Sequence, residues 1–411
     1  MVPEGWKKTR FSSVTRIGNG QVDPKIEPFA SMTHIGPENV VSDSGQLVEL
    51  KTCKKLGLIS GKYEFDEKAI VYSKIRPNLN KVCRPQFRGV CSADMYPIWT
   101  EEDHLLPEYL HQYMLGPSFF KAATAMSMRT GMPKINRSDL NTVSILLPAI
   151  PEQKKIAQIL STWDDAITTT EKLLTNSQQQ KKALMQQLLT GKKRLGVPAK
   201  AYEFKRTRYG ALPKDWEYPA IKDICAQLTE KNTDGADFPV LSCSKYDGFV
   251  DSRNYFKKKV YSDDTSGYRL IHRDCFGFPS NHVEEGSIGL QNLYDTGIVS
   301  PIYVVFRASA DRVDNTYLYS VLKTDHYRQI FGAATNASVD RRGSLRWKEF
   351  SQIHVPLPPL EEQKKIATVL STADQEITAL QQKLDALKQE KKALMQQLLT
   401  GKRRVKVEAT A

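Results

Sequence analysis

Residues 145–194, ILLPAIPEQKKIAQILSTWDDAITTTEKLLTNSQQQKKALMQQLLTGKKR, recur at 355–404 as VPLPPLEEQKKIATVLSTADQEITALQQKLDALKQEKKALMQQLLTGKRR. The offset is 210 without a gap, and 29 of the 50 positions are identical. Twelve consecutive residues, Lys181–Lys192 and Lys391–Lys402, are the same, and Pro3 and Trp6 return at that offset as Pro213 and Trp216. A self-match this long makes the 411-residue chain two copies of one unit. Each copy is a variable domain followed by a near-constant segment. The divisions fall at 1–147 (first variable domain), 148–192 (first constant segment), 193–210 (a basic linker), 211–357 (second variable domain), 358–402 (second constant segment) and 403–411 (a basic tail).

The spacing within the constant segments predicts two long helices. Pro151 precedes Glu152, and Pro358-Pro359 precede Glu361-Glu362; proline and carboxylates suit a first helical turn and its dipole. The positions Ile156, Leu160, Trp163, Ile167, Leu174, Leu184 and Leu188, with Thr170, Ser177 and Lys181 among them, step by alternating fours and threes. The second copy repeats the stripe as Ile366, Leu370, Ile377, Leu380, Leu384, Leu387, Leu394 and Leu398, with Ala373 and Lys391 on the same line. A period of about 3.5 residues held over five heptads is a coiled-coil seam. Gly191 and Gly401 sit where C-terminal caps belong, with lysines behind them. At about 38 residues and 1.5 Å per residue, each helix is about 57 Å long. Thr170, Ser177 and Lys181 make the first stripe a weak self-dimeriser, so the two helices are expected to satisfy each other, antiparallel, with pseudo-two-fold symmetry. The alternative is two separate helices, each packed on its own domain. Either way, faces rich in Gln, Lys and Thr remain for partner subunits.

The variable domains read as mixed α/β. In the first, KAIVYSKI, VCSADMYPIW and LNTVSILLP have strand-like content and PEYLHQYMLGPSFFKAA is helical by spacing. In the second, IVSPIYVVF and FSQIHVPLP are strand-like and NTYLYSVLKTDHYRQIF is helical. The order of elements agrees although the residues mostly differ. The expected fold is therefore two α/β domains joined by two long antiparallel coiled-coil helices. Two domains of one fold with different surfaces would recognise two different things.

Composition bounds the partner. Lys and Arg number 59 against 46 Asp and Glu, a formal net charge of +13, and hydrophobic residues are 40%. No run of 18 apolar residues exists, MVPEGWKKTRFSS lacks the apolar region of a secretory signal, and six scattered cysteines contain no CxxC pair. These features fit a cytoplasmic protein with free thiols, no membrane span and an anionic partner, most often nucleic acid. The charge is unevenly placed: 148–210 carries +7 and 358–411 carries +3, whereas 1–147 carries +4 and 211–357 carries −1. The variable domains must therefore attract an anion with local clusters on nearly neutral bodies.

The sequence offers no pattern that assigns catalysis. An Asn-Pro-Pro-aromatic loop is absent, Gly18-Asn19-Gly20 lacks the third glycine of a dinucleotide turn, and there is no GxxxxGK[ST] or GxSxG. Asp43 with Glu49-Leu50-Lys51 mimics a nuclease carboxylate pair, but the pattern is short and has no counterpart in the second copy. His272, His282 and His326 have no partners at zinc spacing. No catalytic residue, metal ligand or cofactor is expected in this chain.

Binding chemistry remains. In the first domain, Lys74, Arg76, Asn78, Asn80 and Lys81 fill a loop after a strand-like run, and Arg129, Lys134, Asn136 and Arg137 form a second cluster. In the second domain, Ser280, Asn281 and His282 follow Phe276–Pro279, and Asn336, Arg341, Arg342 and Arg346 lie further on. Arg and Lys reach guanine O6 and N7, and Asn bridges adenine N6 and N7, in the DNA major groove. Any one of these residues also suits an ordinary solvated loop. Lys257-Lys258-Lys259 reads as a solvated face or a phosphate contact, not a base reader.

Taken together, the chain resembles the specificity subunits of bacterial type I restriction–modification enzymes. The likeness rests on LPxxxEQKKIA at 147–157 and 357–367, each followed by a long helix ending in LLTGK. HIGPENV (34–40), VYSKIRPNLNKV (71–82) and EEGSIGLQNLYDTGIVSPIYVVF (284–306) are similar to target recognition domains of that family. The resemblance implies a non-catalytic subunit in which each recognition domain reads one half of an asymmetric, bipartite site in double-stranded DNA. The helices would set the half-site spacing and dock two modification subunits, with two restriction subunits joining them. S-adenosylmethionine, ATP and Mg2+ would belong to those partners. Two other readings stand beside it: a subunit for a fused nuclease–methyltransferase system, and a helical scaffold that binds proteins instead of DNA.

Overall fold

The structure is a computed structural model that describes residues 2–127, 133–198, 202–207, 210–281, 283–336 and 344–406. It divides into two compact units. One comprises Met1–Leu173 with Leu380–Ala411, the other Leu174–Ala379. The two long helices run Ile150–Leu188 and Leu360–Leu398, 39 residues each. Each unit therefore holds one variable domain, the first half of the helix that follows it, and the second half of the other helix.

The seam explains this division. In the first unit, Asp164 takes Lys391 Nζ at 2.5 Å and Glu171 takes Lys388 Nζ at 2.8 Å, so the two helix halves run antiparallel. In the second, Ser177 Oγ donates to Glu376 at 3.1 Å and Lys181 pairs with Asp374, in the same sense. Ile156, Leu160, Leu394 and Leu398 join the core of the first unit, and Leu184, Leu188, Ile366 and Leu370 that of the second. Ile167, Leu174 and Leu384 are buried, and Trp163, Ile377, Leu380 and Leu387 are half-buried. The polar seam positions are satisfied rather than stranded: Thr170 Oγ1 returns to Ala166 O at 2.8 Å, and Lys391 is only 6% exposed on Asp164. Gly191 (φ 69°) and Gly401 (φ 68°) end the helical runs in the left-handed region, where a side chain is strained.

The motif that both copies share at the helix start is a joint. Trp6 Nε1 donates to Glu152 Oε2 at 3.1 Å, and Arg404 Nε and Nη2 reach the same carboxylate at 2.7 and 2.9 Å. In the second unit, Trp216 Nε1 donates to Glu362 at 3.2 Å, with Arg194 Nε and Nη2 at 3.0 and 2.6 Å. Gln153 and Gln363, both fully buried, pin the preceding loop: Gln153 accepts from Leu106 N and donates to His104 O and Pro148 O, and Gln363 does the same with Asp314 N, Arg312 O and Pro358 O. A buried carboxylate or amide without such partners would be costly.

Both domains are built on a four-stranded antiparallel sheet of one topology. The first has Thr15–Ile17, Met95–Thr100, Ile70–Ser73 and Val82–Cys83 side by side; the second has Cys225–Leu228, Tyr303–Ala308, Phe276–Pro279 and Gly289–Leu290. The first domain adds a sheet of Lys51–Thr52, Thr33–Ile35, Gly89–Cys91 and Tyr63–Phe65. The second adds the hairpin Leu241–Ser244 with Gly248–Asp251, and the pair Arg269–His272 with Thr296–Val299. All six cysteines are free thiols. No helix among the described residues is long and apolar enough to cross a membrane.

Four expectations change. PEYLHQYMLGPSFFKAA is two helices, Pro107–Leu115 and Pro117–Ser127, because Pro117 cannot continue the first. NTYLYSVLKTDHYRQIF likewise splits into Asn315–Leu322 and Asp325–Asn336. FSQIHVPLP makes only isolated bridges, at His354 and Leu357, since Pro356 and Pro358 have no N–H to extend a ladder. The stretch 193–210 is more than a linker: Phe204–Thr207 pairs with Gly210–Pro213, and the Arg194 side chain is 4% exposed between Glu362 and Asp215.

Candidate nucleic-acid interface

In the first unit the fold brings two separate sequence clusters together. Ser73 ends a sheet strand, and the loop beyond it meets the segment before the short helix Arg137–Thr142. Ile75 bridges Lys134, Arg76 N donates to Pro133 O at 2.8 Å, and Ile135 N donates to Lys74 O at 2.9 Å. This crossing puts Lys74, Arg76, Lys134, Asn136 and Arg137 on one surface. Arg76, Asn78, Lys134 and Asn136 are exposed; Lys74 and Arg137 are half-buried.

Aromatic faces aim the two half-buried cations. The Arg137 guanidinium lies 5.0 Å from the Tyr96 ring centroid and 5.5 Å from that of Tyr63, while Lys74 Nζ is 5.5 Å from Tyr96. Arg16 stacks on Trp99 at 4.3 Å. Burial raises the Tyr96 pKa, and the Arg137 charge opposes that rise. A guanidinium already held against aromatic rings loses little freedom when it meets a planar acceptor pair. Next to it runs a cleft lined by Gly18–Val22, Tyr63–Glu67, Arg88, Pro97 and Trp99. Gly18 is required there: a Cβ would lie 2.6 Å from Pro97 Cγ, because Gly18 N donates to Pro97 O at 2.7 Å.

Two members of the first loop face inward. Asn80 is 5% exposed, with Nδ2 given to Asp43 Oδ1 at 2.9 Å and Leu115 O at 3.1 Å. Lys81 Nζ donates to Pro37 O at 2.5 Å. Both shape the loop from behind, and the nuclease-like Asp43 is spent on Asn80. Asn39 of the HIGPENV motif is also structural, accepting from Gly36 N and donating to Val48 O and Glu49 O.

The second unit repeats the crossing with other residues. Leu345 N donates to Ser280 O at 2.7 Å, as Ile135 N does to Lys74 O. This brings Ser280 and Asn281, both half-buried, beside Arg346, which is exposed at the start of the helix Trp347–Phe350. Asn281 Oδ1 is enclosed and has no hydrogen-bond partner. Behind the crossing stand aromatic rings: Phe278 and Phe350 lie 4.6 Å apart, and Phe306 and Trp347 5.6 Å. Asn336 is the last residue of its helix. Arg129, His282, Arg341 and Arg342 lie outside the described residues. The aromatic supports Tyr63, Tyr96 and Trp99 were missed in sequence, since nothing local ties them to Arg137 or Arg16.

Among the described residues, no group of three or more His, Cys, Asp or Glu could hold a metal ion. The described surfaces carry exposed amides and cations over a rigid sheet, which suits the binding of phosphates and base edges.

The profile of the type I restriction modification DNA specificity domain matches residues 3–176 and 213–389, and the chain belongs to that family. The type I restriction enzyme EcoDI specificity subunit of Escherichia coli is 36% identical over 157 residues, covering 38% of this chain and 34% of that one. The MjaVIII specificity subunit of Methanocaldococcus jannaschii is 26% identical over 330 residues, 78% of this chain and 75% of that one. Among solved structures, the type I restriction–modification S subunit from M. genitalium superposes with a TM-score of 0.58 at 14% identity, over 97% of this chain and 96% of that one. A chain from work on complex assembly and conformational transition of the type I R-M system gives 0.55 at 18%, over 98% of this chain and 100% of that one. Both share its fold of two tandem domains.

Proposed function

We propose that this chain is the DNA sequence-specificity subunit of a type I restriction–modification complex. Each domain reads one half of an asymmetric, bipartite site in double-stranded DNA, and the two helices set the distance between the halves. The observation that carries this reading is the repeated crossing, Lys74 with Ile135 and Ser280 with Leu345, presenting different side chains on one scaffold. Phosphates would be met by Lys134 and Arg76, and base edges by Arg137, Asn78 and Asn136 in the first domain and by Ser280, Asn281 and Arg346 in the second. Arg129, His282, Asn336, Arg341 and Arg342 belong to the same proposal by their chemistry.

The chain acts without catalysis or cofactor of its own, in the cytoplasm. Two modification subunits dock on the helical regions and use S-adenosylmethionine to methylate adenine, and two restriction subunits bring ATP- and Mg2+-dependent translocation and cleavage. Co-expression with the modification subunit, followed by genome-wide methylation mapping, tests this. A split, non-palindromic methylated motif is expected; methylation without one overturns the reading. A protein-binding scaffold would instead lack the steep loss of DNA affinity with salt that phosphate contacts impose.

A further inference from the structure

The second unit carries an aromatic patch outside the clusters described above. The strands Leu241–Ser244 and Gly248–Asp251 pair from Leu241 with Asp251 to Ser244 with Gly248, leaving Lys245, Tyr246 and Asp247 as the tip. Tyr246 is 82% exposed, the most exposed large hydrophobic side chain among the described residues. Asp251 then caps the helix Ser252–Tyr255, accepting from Arg253 N at 2.9 Å and Asn254 N at 3.0 Å, and the chain turns back along the hairpin. The Tyr255 hydroxyl donates to Asp247 Oδ2 at 2.9 Å, which holds its half-exposed ring beside the tip. Phe256 stands edge-on to that ring at 5.1 Å, and Lys245 Nζ is 5.5 Å from the Tyr246 centroid.

Cations follow at once. Lys257 and Lys258 are exposed, while Lys259 is paired with Asp263. The nearby carboxylates are committed within the patch, Asp247 to Tyr255 and Asp251 to the helix cap. The tip is also tied to the candidate interface. Lys323 Nζ, half-buried under it, donates to Lys245 O at 2.7 Å and Gly286 O at 2.9 Å, and Gly286 belongs to the segment leaving Ser280 and Asn281.

Exposed rings, with Tyr246 on the hairpin tip and Tyr255 tied to it through Asp247, beside the exposed ammonium groups of Lys257 and Lys258, fit a partner that is anionic outside and aromatic or apolar within. Duplex DNA has both features: phosphates at the surface, and base faces that an inserted ring can contact through a groove. We propose that this hairpin is a second DNA-contacting element of the second domain, with Lys257 and Lys258 on phosphates and the Tyr246 ring in a groove next to the half-site. This rests on the reading of the chain as a DNA-specificity subunit.

The test uses the chain assembled with its modification subunits and a duplex carrying the mapped methylation motif. DNA affinity is measured across a salt series for the wild type, Tyr246→Ala, Tyr246→Phe and the double variant Lys257→Gln/Lys258→Gln, after thermal melts show that all four are folded. Tyr246→Ala should bind about tenfold more weakly with its salt slope unchanged, and Tyr246→Phe should keep most of the affinity. The double variant should lose about 0.9 of log–log salt slope per lysine. Wild-type affinity and slope in both the alanine and the double variant overturn the proposal. So does weaker binding of modification subunits with DNA affinity intact, which assigns the patch to a protein. A wild-type complex without DNA affinity sinks the specificity-subunit reading and this proposal together.

Discussion

Arg137 shows what a single side chain owes to its surroundings. Its guanidinium spans the faces of Tyr96 and Tyr63, so lysine, a compact charge without a planar fork, cannot replace it. Arg137→Lys and Arg137→Ala should each cost roughly 1–3 kcal/mol of discrimination at one base pair. Methylation assays on the mapped site and its single-base variants check this, with thermal melts expected to match wild type. Asn80 and Lys81 have the same donor chemistry on paper, yet both bond inward. A sequence displays donors but not the backbone carbonyls that fold up against them. His111 illustrates the cost of enclosure. Burial pushes its pKa from 6.5 down to about 4, with the Lys391 ammonium adding to the fall and Asp164 opposing it. Because the unfolded chain takes up the proton first, this residue removes stability as pH drops from about 6.5 towards 4 and has no effect above that range. The loss is on the order of 3 kcal/mol. Denaturant unfolding followed over that pH range should show a shallower decline in His111→Gln; equal slopes would remove the assignment.

At the scale of elements, the helix ends matter more than their middles. The two Trp–Glu–Arg joints are built alike, but they differ in access to water. Arg194 is 4% exposed and its partner Glu362 7%, whereas the Arg404 side chain is 46% exposed on a buried Glu152. Removing one member of an enclosed pair strands the other, at about 3–5 kcal/mol. Arg194→Ala should therefore destabilise the protein by about that amount, and Arg404→Ala by about 1–2 kcal/mol, because water can take the place of the exposed Arg404 guanidinium against Glu152. Urea unfolding of the two variants decides the order; a larger loss from Arg404→Ala would contradict it. The helices themselves were legible because a 3.5-residue period is local information. The breaks at Pro117 and Lys323–Thr324, and the failure of the FSQIHVPLP run to form a strand, depend on neighbours that the period does not record.

For the whole molecule, the helices are the elements common to both compact units, and in the proposed function their length sets the half-site spacing. Inserting one heptad into each helix, between Leu173 and Leu174 and between Ala379 and Leu380, adds about 10.5 Å of helix while preserving both seams. Methylation mapping of this double insertion should report the same half-sites separated by roughly three more base pairs. An unchanged spacer with full activity would refute the ruler role. An insertion in one helix alone should disrupt assembly, because the paired seam residues then fall out of register.

The repeat at an offset of 210 was enough to establish two copies of one unit, two long helices and two unlike domains, and its motifs placed the chain in its family. These properties lie in periodicity and self-similarity, which survive when the chain is written as a line. Tertiary structure alone decided that each domain folds with half of the other copy's helix, that Arg194 is a buried strut, and that Lys74 meets Ile135 as Ser280 meets Leu345. Each of these depends on contacts between residues some 60 to 230 positions apart. Their energy comes from burial and paired charges that local spacing does not encode.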